Sequence, residues 1–398
     1  MTAAGPTLTT GDVLIRDGRI VAVAPALDPP AEARIVDLSG KWVTPGLIDP
    51  HSHLGVYALP RTKAHSDVNE KLGSLQAAVR AEEGFWPQDP TIRRAVAGGV
   101  TTVLVLPGSS NLVGGQGVTL RLRPVRAVRE MRFEGAPPTM KMACGENPKR
   151  GKKGGPSTRM GESAMLRQTL EQARAYGVTS ASLPAAKAHD FSKQALARVL
   201  SGEILIQNHC YRADDMLRRL DLLDEFDVRP RAFHHATEAY KIAGRLAGAS
   251  VGAVVWSDWW VAEVSKMEML DMVPASAALL DVAGVRVALH SDSPEVVQRL
   301  NQEAARALAA GLRAGLEVDR DRAIRWVTAN PAWVLGIEER VGTLEPGKDA
   351  DLVVWSGDPF SVYSVAEQVY IEGVQVYDRE QPELYPVSDF ELGLGGPE

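Results

Sequence analysis

Two stretches at opposite ends of the chain share a pattern that the middle lacks, and this asymmetry narrows the folds open to it. Residues 12–49, DVLIRDGRIVAVAPALDPPAEARIVDLSGKWVTPGLID, alternate apolar and polar side chains in short runs broken at Asp17-Gly18 and Ser39-Gly40. A period of two with Gly18 and Gly40 as turn residues is the mark of antiparallel strands. The runs VGTLEPGKDADLVVWSGDPF (341–360) and VYIEGVQVYD (369–378) repeat it. From about 50 to 340, short β-rich apolar runs alternate instead with helical stretches such as 163–176, 192–201 and 295–315, the signature of βα units. The economical architecture is α/β: a (β/α)8 barrel over 49–340, with a small β-sandwich domain formed from both chain ends, 1–48 and 341–398. At 398 residues the chain is long enough for both. A further helical segment lies near 322–336, and the acidic stretch 379–398, with its Pro and Gly, is expected to be a loosely held tail.

A formal net charge of -6 gives no general attraction to nucleic acid or to an anionic membrane, so a small molecule is the expected partner. Self-association into a homo-oligomer is left open. The sequence has neither a basic start followed by an apolar run nor a charge-free span of membrane length, which leads to an expectation of a cytoplasmic protein. The two cysteines, Cys144 and Cys210, offer no disulfide framework and are read as small buried packing residues in a reducing compartment.

The chemistry is written at the ends of the apolar runs. GLIDPHSHLG (46–55) finishes in His51 and His53, and residues two apart on a strand share a face, so both imidazoles project the same way. EILIQNHCYRADDM (203–216) brings His209 to a strand end, RAFHHATEAY (231–240) brings His234 and His235, and VRVALHSDSPE (285–295) brings Asp292. A barrel gathers its reactive groups at the C-terminal ends of its strands, where side chains from many strands meet. Imidazole nitrogen and carboxylate oxygen suit zinc and related divalent ions, and such an ion lowers the pKa of water toward neutrality. Asp292 is the candidate catalytic residue, placed to accept the proton of attacking water and pass it to a leaving nitrogen.

With these motifs in hand the chain resembles the amidohydrolase superfamily over nearly its whole length, in a branch related to imidazolonepropionases and dipeptidases. The resemblance rests on His-x-His after Pro-Gly-Leu-Ile-Asp, the later strand-end histidines, the final Asp, and the closing Gly-x-Leu-x-Pro-Gly-Lys-Asp-Ala-Asp-Leu-Val at 342–353. It implies a TIM-like barrel with a composite terminal sandwich. It further implies that His51, His53 and Asp292 hold one divalent metal, most simply zinc, and that His209 and His235 hold a second, giving one or two ions per chain. His235 is preferred to His234 because the family's His-x-Thr-Glu matches His235-Ala236-Thr237-Glu238. His234 would then be a neighbour of the centre or a packed histidine.

The family's bridging ligand, a carbamylated lysine or a glutamate, falls in TMKMACGENPKRG (139–151), where Lys141 is preferred and Glu146 is the alternative. Arg212 stands where deaminases and imidazolonepropionase-type members of the family carry Glu or Gln, a departure that weakens a deaminase reading. Tyr211 and Arg212 would instead suit an anionic or carbonyl group of the substrate, unless Arg212 pairs with Asp214 or Asp215. Three further segments are read more loosely. PKRGKKGGPSTRMG (148–161), with Lys149, Arg150, Lys152, Lys153 and Arg159, is a lid for an acidic substrate or a solvated loop. PGSSNLVGGQG (107–117) is a barrel-mouth loop, and Trp256, Trp259 and Trp260 wall a pocket or pack in the core. The resulting expectation is a metal-dependent hydrolase of a non-protein, amide-like C–N bond, cyclic or linear. The rivals are a dipeptidase or N-acyl amino acid hydrolase, and a metal-free binding scaffold.

Overall fold

The computed structural model describes residues 1–149, 154–180, 190–258 and 266–381. At the start of the chain β1 (Asp12–Arg16) and β2 (Arg19–Ala24) form an antiparallel hairpin, with Asp17 and Gly18 both at positive φ as a tight Asp-Gly turn requires. Next, β3 (Trp42–Pro45) pairs not with its neighbours in sequence but with β12 (Leu352–Trp355), which continues through β13 (Ala366–Ile371) to β14 (Val374–Asp378). Both chain ends therefore share one sheet. Its inner face buries Leu352 and Val354 with Ile20, Leu344 and Ala350, and the Trp355 indole N–H donates to Thr44 Oγ1 at 2.9 Å.

The middle of the chain builds an eight-stranded sheet in sequence order: β4 (Leu47–Ser52), β5 (Val100–Val105), β6 (Val113–Arg121), β7 (Thr139–Ala143), β8 (Leu205–Cys210), β9 (Pro230–His235), β10 (Gly252–Val255) and β11 (Val287–Leu289). The sheet curls into a barrel. The last strand segment meets the first, with the Asp292 backbone N–H donating to His51 O at 3.1 Å and the Ser291 hydroxyl bonded to Asp49. Ile48, Leu104, Leu106, Ala232, Val254 and Ala288 fill the barrel interior, and helices such as Arg159–Ser180, Phe191–Leu200 and Leu300–Arg313 cover the outside. These helices match the expected segments to within a few residues. The stretch near 322–336 divides into two helices, Arg320–Arg325 and Ala329–Leu335. No helix among the described residues is long and apolar enough to cross a membrane.

The barrel departs from the expected all-parallel pattern at β6, which is antiparallel to both β5 and β7. Parallel neighbours need a crossover of a dozen or more residues, and residues 106–112 are too few, so the chain turns back beside β5. The 107–117 segment, expected to be wholly a loop, is therefore strand from Val113 onward. Arg121, at the far end of this reversed strand, is buried against the closing motif. Its Nη1 donates to Asp351 at 2.6 Å, it also pairs with Asp349, and Arg340 Nη2 reaches Asp349 at 2.7 Å. The Gly-Lys-Asp-Ala-Asp run thus joins the terminal sheet to the barrel by paired, hydrogen-bonded charges, an arrangement that is costly to break from one side.

Candidate metal centre

Six of the seven histidines among the described residues converge at the C-terminal mouth of the barrel. The His51 ring centroid lies 5.1 Å from His53, 4.9 Å from His234, 4.8 Å from His235 and 5.2 Å from His290, and His209 sits 4.5 Å from His235. Strand alternation accounts for most of this: Gln207 and His209 share the inner face of β8, and Ala232 and His234 that of β9. His235 would point outward on a regular strand, but its φ of 67° turns the chain left-handed and brings a second consecutive imidazole inside. Asp292 uses the same device, with a φ of 52°. Left-handed backbone at non-glycine residues costs about 1–3 kcal/mol each and persists where the surroundings enforce it, commonly at functional sites.

The orientations within the cluster are specific. His53 Nδ1 donates to the Leu106 carbonyl at 2.8 Å, which leaves Nε2 as the lone-pair nitrogen, 3.0 Å from Asp292 Oδ1. His51 Nε2 lies 3.5 Å from the same oxygen, and the other carboxylate oxygen, Oδ2, faces His235 Nδ1 at 4.0 Å. The donor atoms of His51, His53 and Asp292 all lie within 4.8 Å of one another, as do those of His51, His235 and His290. Both ring nitrogens of His209 and of His290, and Nδ1 of His235, are buried without a hydrogen-bond partner. A buried polar atom left unpaired costs about 1–3 kcal/mol. Each of these three imidazoles can offer one lone-pair nitrogen to a divalent cation, and beside His51, His53 and Asp292 they form a donor set of the kind such an ion takes, so the residues present fit the ion.

Lys141 enters the same cluster from β7. Its Nζ is 2.9 Å from His51 Nε2 and fully buried, and burial pulls the amine down to about 7. Burial, reinforced by Lys141, also holds His51, His209 and His234 well below the ordinary imidazole value, and His235 is held down by burial and His209. His290 falls to about 3, chiefly by burial. All five are therefore neutral, the protonation state a metal ligand needs. Burial alone would raise Asp292, but its close contact with His53 and the influence of the nitrogen groups packed around it, Lys141 among them, outweigh burial and hold the carboxyl at about 2.

Comparison with known proteins identifies the family. A model of the amidohydrolase family matches residues 231–377. The crystal structure of an amidohydrolase from Thermotoga maritima MSB8 superposes with a TM-score of 0.84 at 38% identity, covering 92% of this chain and 95% of that one. The chain belongs to the amidohydrolase family. It is also 34% identical to amidohydrolase tasK of Hapsidospora irregularis over 92% of its own length, although it spans only 40% of that relative. Imidazolonepropionase of Rhizorhabdus wittichii is 25% identical, with 87% of this chain and 88% of the relative covered. The protein is thus an enzyme, a hydrolase of carbon–nitrogen bonds in a family that generally binds divalent metal.

Behind the amidohydrolase's β7 end lies a buried ionic network that holds the loop carrying Glu146. The Gly145 N–H donates to Glu162 at 3.1 Å, the Glu146 N–H donates to Glu268 at 2.9 Å, and Arg219 Nη2 donates to the Ala143 carbonyl at 2.9 Å. Gly145 is at φ +80°, and a Cβ there would come within 2.5 Å of Glu268 Oε2, so glycine is required. Arg159 completes the network by gripping Asp215 at 2.9 Å and by pairing with Glu268. This residue of the segment read as a lid or a solvated loop thus clamps two buried carboxylates. Arg150, Lys152 and Lys153 of the same loop lie outside the described residues. Burial, against the pull of Arg219, raises Glu162 to about 7. An acid raised in the folded state binds its proton more tightly there than in the unfolded chain, so stability falls as pH rises from the unfolded value toward 7. Glu162→Gln is expected to flatten the decline in melting temperature between pH 5 and pH 8 by the equivalent of ~3 kcal/mol, as checked by thermal melts of both proteins.

Several expected residues sit differently from their sequence reading. Arg212 is spent on Asp214, in a bidentate pair at 2.8 and 3.0 Å outside the histidine cluster. Tyr211 is at the cluster, its ring 4.5 Å from His209, but it is 1% exposed and packed with Trp256, Met269 and Met272. Trp256 stacks on His235 at 4.5 Å, whereas Trp259 and Trp260 lie outside the described residues. Cys144 and Cys210 form a disulfide, which corrects the reading of two separate packing residues. The physical reason is register: Ala143 pairs with His209, so the next residue of each strand lies side by side, with Cα atoms 5.2 Å apart. Sequence reasoning passed over His290, although it ends the same apolar run as Asp292, two residues before it. It also passed over Gln207, two residues before His209 on the inner face.

Proposed function

We propose that this amidohydrolase cleaves a small, non-protein, amide-like substrate at a metal centre held by His51, His53, His209, His235 and Asp292, with Lys141 as the bridging ligand after carbamylation. The observation that carries the reading is the convergence of His51 Nε2 and His53 Nε2 on Asp292 Oδ1, beside buried imidazoles with no protein partner. Divalent cations held there, most simply zinc and up to two per chain, would lower the pKa of water and polarise the scissile carbonyl. Asp292 Oδ2, ionised at neutral pH, accepts the proton released as water's oxygen bonds to the carbonyl carbon, then returns it to the nitrogen as the C–N bond breaks. Tyr211 and Trp256 wall the apolar side of the site.

Lys141 is favoured over Glu146 because its amine already reaches the His51 ring and, near 7, is substantially neutral, the form that reacts with carbon dioxide. Arg212 offers little to a dipeptidase or N-acyl amino acid reading, since its guanidinium is committed to Asp214. Residues 1–48 and 341–398 are assigned to one small β unit beside the barrel of 49–340, on the support of β3 pairing with β12; of the stretch read as a tail, 382–398 lie outside the described residues. A cytoplasmic setting is the reading that the composition supports.

The test is elemental analysis of the purified protein and of Lys141→Ala, alongside a hydrolysis screen of cyclic amides, N-acyl amino acids and dipeptides. The parent is expected to carry about two metals per chain and the variant about half of that. Metal content unchanged by the substitution would move the bridging role away from Lys141, and a parent that hydrolyses amides without metal would sink the centre altogether.

A further inference from the structure

His51 differs from His53 in how its ring is held. His53 Nδ1 reaches a backbone carbonyl directly, whereas His51 Nδ1 faces another histidine, His234 Nδ1, at 3.1 Å. Two ring nitrogens in contact leave open which one carries the hydrogen. The next link removes the ambiguity. His234 Nε2 lies 2.6 Å from Gln207 Oε1, and Gln207 Nε2 donates to the Val334 carbonyl at 3.0 Å. A carbonyl can only accept, so the Gln207 amide must turn its NH2 toward Val334 and its oxygen toward His234. His234 must then carry its hydrogen on Nε2, which leaves Nδ1 as an acceptor. His51 must in turn carry its hydrogen on Nδ1 and present a bare lone pair at Nε2. The Lys141 Nζ, 2.9 Å from that nitrogen, can donate to it, and so is compatible with this assignment. Gln207, His234 and His51 are all fully buried, so water cannot substitute for a missing link.

We infer that Gln207 and His234 are positioning residues: a relay starting at the Val334 carbonyl fixes the tautomer and ring angle of His51 and keeps its Nε2 available to the metal. The inference rests on the reading of His51 as a ligand. Outer partners of a metal-bound imidazole commonly account for 10- to 100-fold in metal affinity, and here that function is spread over two side chains from adjacent strands, β8 and β9. It also gives consecutive histidines separate tasks: His234 orients a ligand, and His235 faces the carboxylate.

Zinc binding, measured by competition with a chromophoric chelator, tests the relay in the parent, Gln207→Leu, His234→Leu and His234→Asn. Both leucine variants are expected to bind zinc about 10- to 100-fold more weakly. The asparagine variant is expected to recover most of that loss, because its Oδ1 sits where Nδ1 was and accepts the same N–H. Equal affinities throughout would overturn the relay, and so would an asparagine variant as weak as the leucine one, since packing alone would then explain the loss. Nitrogen-15 spectra of the metal-free, histidine-labelled parent give a second readout that needs no variant to fold. They should report His51 as the Nδ1–H form and His234 as the Nε2–H form, and the reverse assignment refutes the proposal. A parent that binds no zinc refutes the metal centre instead, and the spectra then decide the relay alone.

Discussion

Dialysis against a strong chelator is expected to abolish C–N bond hydrolysis and to lower the melting temperature, with both restored by added zinc. The expectation follows from the donor set. Nitrogens of His209, His235 and His290 are buried without hydrogen-bond partners, and each such group costs about 1–3 kcal/mol until something binds it. A ligand present at a thousand times its dissociation constant stabilises the folded state by about 4 kcal/mol, which for a chain of this size means a shift of several degrees. Turnover should respond far more steeply than stability, because without the cation nothing in the pocket brings water's pKa near neutrality. Full activity in protein shown by elemental analysis to be metal-free would contradict the reading.

Asp292→Asn is expected to reduce turnover by about 10²- to 10⁴-fold while leaving the fold intact. The substitution keeps the shape and an oxygen that can face His53, but removes the only feature that lets Asp292 take a proton, its charge at neutral pH. The structure holds that charge strongly, since the carboxyl sits at about 2 in spite of its burial. Loss of one anionic ligand should also weaken metal binding, so kcat is to be measured with zinc in excess and metal content determined in parallel. A reduction of less than about tenfold in the zinc-loaded variant would assign the proton transfer to another group.

Much of the site could be read from sequence because strand alternation is rigid. His51, His53, His209 and Asp292 each end an apolar run, and a barrel directs such ends to one mouth. The choice between His234 and His235 could not be read in this way, because a left-handed turn at His235 brings both inside, where a regular strand would admit one. Gln207 lay hidden for another reason: its task depends on Val334 and His234, and only the packed barrel brings these together. The two cysteines met through a register set by strand pairing, which composition does not encode. Arg212 could be read only as two alternatives, and proximity to Asp214 on the same short segment decided between them.

β6 escaped recognition because its glycines, Gly114, Gly115 and Gly117, imitate a loop. The same glycines let neighbouring groups approach closely, and a Cβ on Gly114 would lie 3.3 Å from Lys141 Cγ. Since this strand runs backward, it presents its beginning, not its end, to the pocket rim beside Lys141. A search for specificity-altering changes confined to the carboxyl tips of the strands would therefore leave out one staff of the barrel. On that staff, a methyl group added near position 114 presses directly on the lysine.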